Sequence, residues 1–240
     1  MHDRLESCTR DNSLARQRRD FTMLAGFLVA ALSLADLSAA AEAALRPLTE
    51  AIANARARQA AVPDNSTPRE QLELVLALDQ EPLKAMHSVD LSALSEADRR
   101  AAHAEAEARL DAVSEETVAT VLSLVPAEGW FSTAIYGQEA ATGAFLVIQH
   151  ADTALQKRFL PALEAMADRG EAPKWQYAMM YDRIAVAENR PQRYGTQMQC
   201  VEGRMIPALT EDPETLELRR APMGFRWPDY NAYLANFGAC

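Results

Sequence analysis

The sequence predicts a mainly α protein: a single-domain helical bundle with one small C-terminal β-hairpin. Three observations predict it. Apolar residues recur at three- and four-residue spacing through most of residues 69–189. Serine, threonine or aspartate stands at the start of several of these stretches, and glycine or proline near their ends. Only Tyr194 to Pro207 alternates loosely in the two-residue period of a strand, with Glu202-Gly203 as the turn at its middle.

Residues 1–41 read as a targeting segment. Arg16, Arg18 and Arg19 form a positive n-region, and Phe21 to Ala35 is an apolar run of h-region length. Ser38-Ala39-Ala40-Ala41-Glu42-Ala43 offers small-residue cleavage sites, with cuts expected after Ala41 or Ala43. The apolar run ends at Asp36, short of the roughly 20 residues a membrane span needs. The alternative is an uncleaved N-terminal anchor or a buried amphipathic helix. Gln17-Arg18-Arg19-Asp20-Phe21 resembles a twin-arginine export motif. The expected location is periplasmic or secreted, with no membrane insertion after signal cleavage.

Residues 42–67 form an N-terminal helix and linker, and residues 68–240 a single helical domain. Ala41 to Ala61 is rich in alanine and arginine and reads as helix. Pro63-Asp64-Asn65-Ser66-Thr67-Pro68 breaks it. Ser66 or Thr67 caps the next helix, with Pro68 at its first position and Leu72, Val75, Leu76 and Leu83 along its inner face. Asp79 and Gln80 fall inside this helix. Ser95-Glu96-Ala97-Asp98 opens another, which runs to Val125 with a break expected near Ser114.

Pro126 to Gly137 is a loop whose Gly129-Trp130-Phe131 and Tyr136-Gly137 predict a packed shape. Gln138 to Gln149 is small or apolar nearly all round, so this helix is central. Thr153 to Asp168 follows, stopped by Gly170, and Pro173 opens a third helix through Asn189. Asp212 to Arg220 and Asp229 to Asn236 close the chain as two short helices.

The formal charge is −10. Cleavage of residues 1–41 would remove Arg4, Arg10, Arg16, Arg18 and Arg19 together with Asp3, Glu6, Asp11, Asp20 and Asp36, so the balance is unchanged. An acidic chain whose lysines are Lys84, Lys157 and Lys174 lacks the basic cluster that phosphate contacts need, which argues against a nucleic-acid partner. Cys200 and Cys240 remain after cleavage. An oxidising compartment permits a bridge, but a core of this size needs no staple, and they read as separate thiols.

Chemistry-bearing residues concentrate in Gln149-His150-Ala151-Asp152, Asp182-Arg183 and Pro191 to Gln197. Each segment adjoins an apolar run, and polar groups against a core must pair with one another or with a ligand. His150 oriented by Asp182 or Asp152 would make an acid–base pair near neutral pH. Tyr194 could donate to developing charge, and Arg183 or Arg220 could hold an anion by a bidentate contact. His150, Asp182 and Tyr194 are therefore the candidate catalytic residues. The candidate ligand-binding residues are Asp79, Gln80, Gln149, Asp152, Arg183, Gln192, Thr196, Gln197 and Arg220. Gly195 permits a positive φ or a close backbone approach. No zinc, calcium-loop or nucleophile-elbow spacing occurs, so no metal and no cofactor is expected. The competing reading makes His150 a helix C-terminal residue, Asp152 a cap and Asp182-Arg183 part of a buried ion-pair network.

Taken together, Asp79-Gln80, Gly129-Trp130, Gln149 to Asp152, Gln156, Asp182-Arg183, Gln192 to Gln197, Arg219-Arg220, Gly224 and Tyr230 carry a resemblance. Over about residues 70 to 233 the chain resembles a bacterial family of unknown function, domain-of-unknown-function family 6624. The resemblance implies a family and no activity. The expected function is an exported protein with a polar pocket around these segments, binding a small polar or peptide-like ligand with acid–base chemistry. The alternative is a non-catalytic envelope interaction protein whose polar cluster is structural.

Overall fold

The structure is a computed structural model that describes residues 37–63 and 65–240. The n-region, the apolar run Phe21–Ala35 and the twin-arginine motif lie outside the described residues. The chain is mainly helical, with one two-stranded antiparallel hairpin near its C-terminus.

Two short helices come first, α1 (Ala39–Ala44) and α2 (Arg46–Ala60). The Ser38 side chain caps α1, accepting from the Ala41 N–H at 3.2 Å. Thr67 starts α3 (Pro68–Ala85) with a full capping box: its hydroxyl accepts from the Glu70 N–H, and the Glu70 carboxylate accepts from the Thr67 N–H. Ser95 caps α4 (Glu96–Leu124). This helix runs unbroken past Ser114, where the sequence suggested a break, and the nearby Thr117 hydroxyl donates to the Val113 carbonyl one turn back at 3.0 Å. The loop to Gly137 contains α5 (Thr133–Tyr136) and is packed as expected, with Trp130 and Phe131 buried and Trp130 against Phe159 at 5.6 Å between ring centroids. Then come α6 (Gln138–His150), α7 (Thr153–Asp168) and α8 (Lys174–Ala187).

The apolar faces form two clusters. Leu72, Val75, Val121, Phe145, Ile148, Phe159, Leu163 and Met180 belong to one. Leu45, Leu48, Ile52, Leu78, Ala102 and Val113 belong to the other, so α1 and α2 pack on the far halves of α3 and α4. Every residue of α6 from Ala140 to Gln149 is buried, as its composition predicted. At Gly143 the crossing with α3 is so close that a Cβ would lie 2.8 Å from the Leu72 carbonyl oxygen and 2.9 Å from the Leu76 Cβ.

Gly143 meets Leu72, and seven residues later His150 meets Asp79, seven residues beyond Leu72. The two helices therefore run parallel along one seam. Helices α7 and α8, joined by the short turn 169–173, run antiparallel, with Lys157 near the start of α7 on Glu188 just past the end of α8 at 2.6 Å. One end of the bundle thus gathers the second half of α3, the end of α6, the start of α7 and the end of α8.

After α8, β1 (Met198–Val201) pairs with β2 (Arg204–Pro207), Gln199 opposite Ile206 and Val201 opposite Arg204. Residues 194–197 do not join the strand. The N–H groups of Tyr194 and Thr196 are taken by the Asp182 carboxylate instead of a ladder. Helices α9 (Leu216–Arg220) and α10 (Tyr230–Leu234) follow, shorter than the sequence suggested. The last residues return along β2: the Met205 N–H donates to the Gly238 carbonyl, and the Cys240 N–H to that of Gly203. This brings Cys240 to Cys200, and the two are joined by a disulfide. The reading of two separate thiols is corrected. Size alone made the staple unnecessary, but backbone pairing of the tail with β2 sets the two α-carbons 5.9 Å apart.

Candidate functional site

The polar residues divide into two groups at this end of the bundle. The first is His150 with Asp79. His150 Nδ1 lies 3.1 Å from Asp79 Oδ1, and Gln80 Nε2 donates to Asp79 Oδ2 at 2.7 Å. A carboxylate accepts only, so the imidazole donates through Nδ1, and Nε2 becomes the nitrogen that takes up or releases the second proton. The His150 side chain is 18% exposed and that of Asp79 7%, so the pair sits at the edge of the core. The expectation that His150 pairs with Asp182 or Asp152 is thus corrected. Asp152 accepts from the Leu155 N–H at 2.8 Å as the N-cap of α7, and Asp182 is committed elsewhere.

The second group is the loop 192–197, folded around Asp182. This fully buried carboxylate accepts from the N–H groups of Arg193 at 2.7 Å, Tyr194 at 3.0 Å and Thr196 at 2.9 Å, and from the Thr196 hydroxyl at 2.9 Å. Burial pushes the Asp182 carboxyl above the usual aspartate range, and the four donors pull it back only in part. Gln192 ties the two sides of the loop. Its amide donates to the carbonyls of Gln197 and Ala208 at 2.9 and 3.0 Å, and its oxygen accepts from the Gln197 N–H at 2.7 Å. Gln197 donates to the Thr196 hydroxyl, and the Tyr233 hydroxyl to the Thr196 carbonyl.

Arg220 closes the back of this loop. Its guanidinium donates to the Tyr194 carbonyl at 2.6 Å and lies over the rings of Phe225, Tyr230 and Tyr233 at 4.2, 4.8 and 5.1 Å. Burial lowers its pKa. The enclosed guanidinium thus ties Tyr194 to the aromatic side chains that follow α9. Arg183 is half-buried on α8. The Tyr194 ring packs against those of Tyr177 and Tyr181 at 6.3 and 6.0 Å, and burial raises its phenol. Gly195 has φ +69°, and a Cβ there would lie 2.8 Å from the Tyr230 hydroxyl, so both uses foreseen for this glycine apply. That hydroxyl finds no partner among the described residues, and burial pushes its pKa up to about 12.

The side-chain oxygens of Gln149 and Gln156 are likewise buried without a partner among the described residues. Gln156 was not among the candidate residues. Its signal was a long amide at a buried position of α7, whose other inward residues are apolar. Two clefts, of about 390 and 260 Å³, open beside α1 and α2 and between α2, α3 and α4, and no residue of the polar cluster lines either. Among the described residues no group of three or more His, Cys, Asp or Glu side chains is placed to hold a metal ion, and no helix is long and apolar enough to cross a membrane.

Comparison with curated proteins and with solved structures finds no match. The model of a family of unknown function, DUF6624, matches residues 77–237, a span that contains Asp79, His150, Asp182, the loop 192–197 and Arg220, and the chain belongs to that family.

Proposed function

We propose that this is an exported protein that binds a small polar or peptide-like ligand at Asp79–His150 and exchanges a proton with it, while the Asp182 loop serves to shape the bundle end. The observation that carries this reading is the oriented, partly open histidine–carboxylate pair. Solvent reaches this pair, whereas the Asp182 carboxylate is fully buried, with Tyr194 and Thr196 buried beside it. The pair presents acceptors, the two oxygens of the Asp79 carboxylate. A ligand suited to them carries N–H donors, as an amide or an amine does. Export is supported by the order of n-region, apolar run and small residues, and by the Cys200–Cys240 bridge, which suits an oxidising compartment.

The test is retention of small molecules by the purified protein after exposure to an extracytoplasmic extract, read by mass spectrometry. A species held by the unaltered protein and lost from both His150→Asn and Asp79→Asn, with melting temperatures unchanged, supports the reading. Identical profiles on all three proteins overturn it. The second reading, a non-catalytic envelope interaction protein, is favoured by the mutual satisfaction of the loop's polar groups, and identical profiles would support it.

A further inference from the structure

Gln156 lies in the first turns of α7, and its side-chain amide reaches back across the turn from α6. Nε2 donates to the Gln149 carbonyl at 3.0 Å and to the Ala151 carbonyl at 2.8 Å. Those two carbonyls flank His150. We propose that Gln156 is the positioning residue of the Asp79–His150 pair: it fixes the peptide units on both sides of His150 so that Nδ1 stays on Asp79. The inference rests on the reading of that pair as the site.

The last carbonyls of a helix have no intrahelical donor, and the last turn frays unless something supplies one. Here α6 ends at His150, and Ala151 is already extended at φ −68°, ψ 178°. No glycine follows to close the helix in the left-handed form. His150 thus stands where the backbone is least fixed by its own helix, and its contact with Asp79 needs a fixed backbone. The Gln156 amide supplies both missing donors from the neighbouring helix. Its orientation is dictated by them, because turning the amide over would aim an oxygen at two carbonyls. The cost is visible: with Nε2 committed, Gln156 Oε1 is left buried without a partner among the described residues. An apolar residue at this buried position would avoid that cost but leave the turn untied.

The experiment follows the His150 ring by NMR through a pH titration in the unaltered protein, Gln156→Met, Gln156→Leu and Asp79→Asn. His150→Asn assigns the signal, and exposed His103 on α4 is the internal reference. The result expected is a midpoint in both Gln156 variants displaced by roughly half a pH unit toward that of Asp79→Asn, a threefold change in proton affinity, with His103 unmoved. A His150 midpoint unchanged in both variants, while Asp79→Asn moves it, overturns the proposal. Should neither variant fold, solvent exchange of the Gln156 Nε2 protons in the unaltered protein decides. Protected protons support the positioning role, and freely exchanging ones overturn it. None of these readouts depends on a ligand, so failure here is distinguishable from failure of the binding reading.

Discussion

Asp182 illustrates what a single buried carboxylate can organise. Its two oxygens satisfy three backbone N–H groups and a hydroxyl, so the loop 192–197 takes its shape from a side chain on α8. Asp182→Asn keeps the size but turns an N–H₂ toward one set of donors. We predict a loss of about 1–3 kcal/mol, seen as a melting temperature lower by roughly 2–4 °C for each kcal/mol. Tyr230 makes the opposite case, a buried hydroxyl over Gly195 with no hydrogen-bond partner among the described residues. Tyr230→Phe should leave stability unchanged or raise it by about 1 kcal/mol at neutral pH. The pH dependence follows from the sign of the shift. The folded state holds the Tyr230 proton to about pH 12, whereas an unfolded tyrosine releases it near 10. Between those values the folded state binds more protons, so stability falls as pH rises. Urea unfolding from pH 9 to 12 should show a shallower decline in Tyr230→Phe. An identical slope would show that Tyr230 does not hold its proton in this way.

At the scale of elements, local signals were legible and long-range ones were not. The Thr67 box, the Ser95 and Asp152 caps and the largely small and apolar α6 each follow from residues within one or two turns. The Asp79–His150 contact joins residues 71 apart, and it exists only because α3 and α6 lie parallel in one register. No short-range pattern encodes that register, so the sequence offered Asp152 and Asp182 as partners instead. Gly143→Ala tests the register directly. Alanine is the better helix former by about 1 kcal/mol, but its Cβ would meet the Leu72 carbonyl, which cannot give way as a flexible side chain would. A net loss of about 1–3 kcal/mol is expected, checked by thermal denaturation. The first helix also bears on export. The Ser38 cap and buried Ala41 make α1 part of the packed structure, which gives a reason to place the cut upstream of the Ala41 and Ala43 sites. Ser33-Leu34-Ala35 offers small residues at the right spacing. If the chain is exported and cleaved as proposed, N-terminal sequencing should read Asp36, and a start at Glu42 or Ala44 would show that the fold dispenses with α1.

For the molecule as a whole, mainly α architecture and the hairpin were readable because periodicity and turn residues are local properties. The disulfide was not. Its cysteines lie 40 residues apart, and only the return of the tail along β2 makes them neighbours. Cys240→Ser should lower stability by about 2–4 kcal/mol and hasten proteolysis in the tail beyond Tyr233, both absent if the backbone pairing suffices alone. The division of the polar cluster was hidden for a related reason. A buried polar network and a partly exposed pair draw on the same residue types, and burial is what separates Asp182 from His150.

The seam between α3 and α6 carries one more implication. Leu72 and Gly143 are two helical turns from Asp79 and His150, yet they set how far one helix can slide along the other. The acid–base pair is therefore held in adjustment from a distance, as a hinge pin sets the closing of a door. Substitutions that leave Asp79, His150 and Gln156 untouched can detune the pair by thickening the seam. A search for variants that alter proton exchange at His150 has its most informative targets at Leu72, Leu76 and Gly143, none of which bears a titratable group.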